Sequence, residues 1–151
     1  MTTNVTIYYN PACSKSRLSL ELLEKHGEHI EIIEYLNTPP DTRTLESILD
    51  MLGMEPRDLM RQHEKEYAEA RLDNPGLSRE QLIDAMIEHP RLIERPIVIK
   101  NGKAILGRPP ERILDILETP NWPRKHTENL GNIFLNRFSS VSFRVLPWQD
   151  I

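Results

Sequence analysis

The sequence predicts an α/β fold in which a β-α-β unit, a helical insertion and a β-β-α unit follow one another. Three observations carry this reading. Val5, Ile7 and Tyr9 alternate with Thr6 and Tyr8, the period-two signature of a strand, and a helix-like stretch follows at once. The segment "PIVIKNGKAILG", Pro96 to Gly107, holds two β-like runs around Asn101-Gly102, the dipeptide that a two-residue hairpin turn prefers. Between these ends, apolar residues from Asp41 to Pro90 recur at helical spacing.

The elements follow in order. Ser14 or Cys13 opens the first helix, with Leu18, Leu22 and Leu23 as its apolar face and Gly27 as its stop. "HIEIIEYL", His29 to Leu36, reads as a second strand, and "NTPPD" as a turn. A β-α-β crossover of this kind is parallel and right-handed. Leu45, Ile48, Leu49 and Leu52 mark a second helix closed by Gly53, and Pro56 starts a short helical piece. "EKEYAEAR", Glu64 to Arg71, reads as a solvated helix face with local charge pairs. Ser78 with Gln81 forms a capping box before Leu82, Ile83, Met86 and Ile87, and Pro90 ends that helix. After the hairpin, Glu111 to Leu117 gives a last helix that turns Ile113, Leu114 and Leu117 to the core. The whole is a thioredoxin-like arrangement, β-α-β then β-β-α, with a helical insertion.

The 151 residues fit one ordinary domain. All three Phe and both Trp lie beyond Glu118, and the acidic excess lies before it. We therefore expect a domain over 1–118 and an aromatic-rich tail over 119–151, of uncertain order and outside the core. A net charge of −4 offers nucleic acid no general attraction, and no apolar run is long enough to span a membrane. No secretory signal is visible and one cysteine cannot form an internal disulfide, so the cytoplasm is the expected location. The five His lack zinc-like spacing, and no metal site is expected.

The chemistry centres on "IYYNPACSKSR", which contains the single cysteine, Cys13. A thiol at a helix N-terminus meets unpaired N–H groups and the positive end of the helix dipole. Such placement, with Lys15 and Arg17 behind it, lowers a thiol pKa, in known cases to ~3.5–7.5. The same N–H groups cradle anions. The chain reads Cys13-Ser14-Lys15-Ser16, so no second cysteine can resolve an oxidised Cys13. A phosphatase-type Cys-x5-Arg loop is absent, because Ser19 stands six residues after Cys13. Arg95 precedes the hairpin and Arg108 follows it, so an antiparallel pairing makes them neighbours. Two like charges brought together favour an anion between them.

Four separated segments, "IYYNPACSKSR", "PRDLMR", "RPIVI" and "GRPPE", together resemble the glutaredoxin-coupled, thioredoxin-fold arsenate reductases over residues 4–118. The resemblance implies that Cys13 attacks arsenate and that Arg61, Arg95 and Arg108 bind the oxyanion, with Asn10 and Ser16 helping at the anion loop. It implies no bound cofactor, glutathione as co-substrate, glutaredoxin as the regenerating partner, and a cis peptide before Pro96. Tyr9 stands where family members often carry His before the loop Asn, which leaves Lys15 as the candidate cation for the thiolate. Two other readings compete. One is a monothiol glutaredoxin-like redox enzyme using Cys-x-x-Ser. The other is a non-enzymatic regulator of the Spx type, which shares the fold but commonly carries a Cys-x-x-Cys switch.

Overall fold

The computed structural model describes residues 4–118. The expectations for 119–151 lie outside the described residues. The order is β1 (Val5–Tyr9), α1 (Ser14–Lys25), β2 (Ile30–Glu34), α2 (Thr42–Leu52), α3 (Pro56–Leu59), α4 (Lys65–Glu69), α5 (Arg79–Glu88), β3 (Ile97–Lys100), β4 (Lys103–Leu106) and α6 (Leu114–Glu118). Short 3-10 turns at Pro90–Leu92 and Pro110–Ile113 lead into β3 and α6.

The sheet order is β2-β1-β3-β4. β1 pairs parallel with β2, Val5 opposite Ile30 through Tyr9 opposite Glu34, and antiparallel with β3, Ile7 opposite Val98. β3 and β4 form the hairpin, Ile97 opposite Leu106. Asn101 and Gly102 both take positive φ, 53° and 71°, as the two central residues of a type I′ turn require.

The sheet alternation sends residues to two cores. Val5, Ile7 and Val98 meet Leu23 of α1 with Ile113 and Ile116 on one face. Tyr8 and Ile97 meet Leu45, Ile48 and Leu49 of α2 and Ile83 and Met86 of α5 on the other. The insertion is thus the second layer of helices. Local caps support it: Asp41 accepts the Thr44 N–H at 2.7 Å, Gly53 ends α2 in the left-handed region, and the Ser78–Gln81 capping box is formed.

Four expectations are corrected. α1 buries Ser16, Ser19 and Leu23, while Leu18 is 50% exposed. The reason is a close approach: a methyl on Gly107 would sit 2.5 Å from Ser19 Oγ, so this face of the helix admits only small side chains. β2 is shorter than read, ending at Glu34, so Tyr35 turns inward from the strand end and is fully buried. The charged segment around α4 is not simply solvated, because Tyr67 is buried and Glu64 is turned to Arg61. At the C-terminal end of the domain Ile116, not Leu114, joins Ile113 in the core, because a 3-10 turn precedes α6 and shifts the phase of the stripe.

Candidate active site

The loop between β1 and α1 is built by Asn10. Its side-chain oxygen accepts the Ala12 N–H at 2.9 Å, and its carbonyl accepts the Cys13 N–H at 3.0 Å. Its own N–H donates to Ser16 Oγ at 3.4 Å. Asn10 and Ser16 are both buried, so the loop is held from within. Arg17 closes the outside, donating from Nη1 to the Pro11 carbonyl at 2.9 Å. Asx-type bonding of this sort fixes a turn without regular secondary structure.

Cys13 occupies the N-cap position of α1, where Ser, Thr or Asp would ordinarily offer an oxygen to the first-turn N–H groups. Its sulfur forms no cap bond of ordinary geometry, and the thiol is part-exposed. Burial pushes the thiol up, but the Ser16 N–H, the Ser16 hydroxyl, the Lys15 N–H and the Arg95 side chain outweigh it and hold Cys13 below its ordinary value. The Lys15 contribution comes from its backbone N–H. Beside it, the rest of the helix N-terminus and Arg95 supply the support.

Arg95 follows from the hairpin start. The Arg95-Pro96 peptide is cis, and so is Arg108-Pro109. Gly107 donates its N–H to the Pro96 carbonyl at 3.0 Å, which closes the base of the hairpin. Arg108 Nε then donates to the Arg95 carbonyl at 2.9 Å. The Arg95 Nε itself is buried with no hydrogen-bond partner among protein atoms.

Arg61 arrives from the insertion. A short antiparallel bridge pairs Met60 with Ile93, with the Arg61 N–H on the Leu92 carbonyl at 2.7 Å and the Glu94 N–H on the Leu59 carbonyl at 2.9 Å. The bridge sets Arg61 beside Glu94. The guanidinium is engaged by Glu64 through Nη1 and by His63 through Nη2, and its Nε lies 3.8 Å from Glu94 Oε1. Glu94 Oε2 lies 2.9 Å from Arg108 Nε. That contact is an ion pair without hydrogen-bond alignment, because the Nε proton points to the Arg95 carbonyl.

Cys13, Asn10, Ser16 and Arg95 therefore form one contiguous site, with Arg108 joined through the Arg95 backbone. Arg61 belongs to it through Glu94 and stands within electrostatic reach of Tyr35. Two members were not legible in the sequence. Glu94 supplies some of the negative charge between the arginines that the reading assigned to a ligand. Tyr35 was assigned to a strand, and its only sequence signal is a large apolar ring after an exposed strand. A concavity of ≈ 310 Å³ opens beside the site, lined by Asn10, Ala12, Leu36, Arg91 and Arg95. A larger one of ≈ 650 Å³, near Tyr67 and Arg71, includes none of these residues.

The ArsC family model matches residues 8–116, a span that contains Cys13 and all three arginines. The chain belongs to the ArsC family. A protein of Escherichia coli K12 called YfgD is 52% identical over 118 residues, covering 78% of this chain and 99% of its own. An arsenate reductase of Neisseria meningitidis serogroup A is 47% identical, covering 75% of this chain and 97% of its own. Among solved structures, an arsenate reductase from Vibrio cholerae superposes with a TM-score of 0.75 at 48% identity, over 77% of this chain and 99% of that one. The thioredoxin-like α/β architecture is that of the ArsC family. No helix among the described residues is long and apolar enough to cross a membrane.

Proposed function

We propose that this ArsC-family chain is an arsenate reductase that works through a Cys13 thiol-arsenate adduct and is regenerated by glutathione and glutaredoxin. The observation that carries this reading is the conjunction at Cys13: a thiol held below its ordinary pKa beside Arg95, whose buried Nε has no protein acceptor. A nucleophile and an oxyanion donor thereby share one place. A planar guanidinium suits a tetrahedral oxyanion because its fork donates to two oxygens at once. Relatives named arsenate reductase support the same substrate.

The chemistry follows. The Cys13 thiolate attacks arsenic(V). A sulfur–arsenic bond forms, an arsenic–oxygen bond breaks, and the oxygen leaves as water with protons from substrate and solvent. The α1 N-terminus and Arg95 stabilise charge on the arsenate oxygens as this happens. Glutathione thiolate then supplies the second sulfur. A disulfide forms between Cys13 and glutathione, the sulfur–arsenic electron pair stays on arsenic, and arsenite departs as arsenic(III). Cys13 is the single cysteine, so its mixed disulfide needs an outside thiol. Glutaredoxin attacks the glutathione sulfur and frees Cys13.

The test is NADPH oxidation coupled through glutathione reductase. We expect turnover that needs arsenate, glutathione and glutaredoxin together. Arg95→Ala should lower arsenate use far more than exchange with a glutathione mixed disulfide, and Arg95→Lys should rescue it only in part. Equal losses on both substrates would overturn the arsenate reading in favour of a glutaredoxin-like enzyme.

A further inference from the structure

Tyr35 is fully buried, and its hydroxyl forms no hydrogen bond of ordinary geometry with protein atoms, although the Asn10 side chain lies near enough to favour its ionised form. A buried hydroxyl without a partner is costly, and a core position would serve as well with Phe. The location gives the hydroxyl a use. Parallel pairing of β1 and β2 ends with Tyr9 opposite Glu34, so the next residues, Asn10 and Tyr35, leave the sheet side by side. Tyr35 thereby reaches the anion loop from the β2 side. Asn10, Arg95, Arg61 and Cys13 all act on it there.

Two further buried donors at this cluster also lack hydrogen-bond partners, Arg95 Nε and Arg61 Nε. With Tyr35 they make three donors; the acid of the cluster, Glu94, lies 3.8 Å from Arg61 Nε and is held by charge to Arg108, which leaves the Tyr35 hydroxyl and Arg95 Nε without a hydrogen-bonded acceptor. Burial pushes Tyr35 up, against the opposing pull of the two guanidiniums, so the phenol keeps its proton and is a donor at neutral pH. The Cys13 sulfur is not its acceptor: the thiolate charge reaches the phenol, but no hydrogen bond joins the two.

Resting on the arsenate reading above, we propose that the Tyr35 hydroxyl is a further substrate-binding group, donating a hydrogen bond to an oxygen of the oxyanion at Cys13. It supplements the arginines with a neutral donor. A neutral donor on a dianion adds binding without adding repulsion among the cations already present. It also gives the site a wall on the β2 side, opposite the hairpin that brings Arg95 and Arg108.

The test uses the full chain and Tyr35→Phe, with three readouts. The first is protection of Cys13 against iodoacetamide by arsenate, in the absence of glutathione. We expect the half-protecting concentration to rise roughly 10- to 100-fold in Tyr35→Phe, the worth of one hydrogen bond to a charged acceptor. The second is the pH midpoint of alkylation without arsenate, which should not move. The third is Tm, which should hold or rise, because an unpaired buried hydroxyl is removed. Equal protection of wild type and Tyr35→Phe would overturn the inference and leave the arsenate reading standing. A raised alkylation midpoint with unchanged protection would assign the hydroxyl to the thiolate and also overturn it. Failure of arsenate to protect the wild type would overturn the arsenate reading, and this inference with it.

Discussion

Glu94 places one carboxylate oxygen 2.9 Å from Arg108 Nε and the other 3.8 Å from Arg61 Nε, so one acid joins an arginine of the insertion to an arginine of the hairpin. An acid among arginines proposed to bind an oxyanion would oppose the ligand by charge and assist it by holding the guanidiniums in place. Its side chain is only 18% exposed, so the pairs are little screened.

Holding is expected to outweigh repulsion. Glu94→Ala should raise KM for arsenate roughly 10-fold, because two part-buried arginines lose their common anchor. Glu94→Gln keeps an acceptor oxygen at the same place and should lose less. Steady-state kinetics of the two variants decide the matter. A Gln loss equal to the Ala loss would mean that the charge, and not the placement, is what Glu94 contributes.

The thiol provides a second prediction. The Cys13 pKa is lowered, so the reactive thiolate persists at pH values below the ~8.5 of a free cysteine and is lost only as pH falls through the lowered value. Alkylation rate against pH should show that midpoint. Ser16→Ala removes the hydroxyl while keeping the N–H, and should shift the midpoint upward without abolishing the depression. Lys15→Ala, which keeps its N–H, should barely move it. A large upward shift for Lys15→Ala would show that the ammonium supports the thiolate after all.

The third prediction concerns the contact that shapes α1. A Cβ on Gly107 would lie 2.5 Å from Ser19 Oγ and 2.7 Å from Pro96 Cγ. Gly107→Ala should therefore destabilise the fold by about 1–3 kcal/mol and displace Arg108, its neighbour. Adding Ser19→Ala removes one of the two clashes and should restore part of the loss, a coupling that denaturation of the double mutant measures. Additive losses would show that Ser19 and Gly107 do not meet.

The same contact explains what the sequence could and could not reveal. Period-two alternation in Val5–Tyr9 and the Asn101-Gly102 turn are local signals, and both elements form where they were read. The inward face of α1 depends on a tertiary approach to Gly107, which hydrophobic periodicity cannot register; periodicity places Leu18 in the core, and nothing local marks Ser19 as buried. At the site, Cys13 and Arg95 were legible because helix-start and hairpin-end positions are local features. Glu94 and Tyr35 were not. Glu94 meets Arg61 only through the Met60–Ile93 bridge, and Tyr35 meets Asn10 only through the parallel register of β1 and β2.

The proposed function requires that arsenate be reduced at Cys13 through a sulfur–arsenic adduct that glutathione resolves. Mass spectrometry of the protein after incubation with arsenate and glutathione, without glutaredoxin, is the decisive measurement. We expect one glutathionyl group on Cys13 and one arsenite released per chain, neither of which forms when arsenate is omitted or in Cys13→Ser. Arsenite released without glutathionylation of Cys13, or in equal amount from Cys13→Ser, would contradict it.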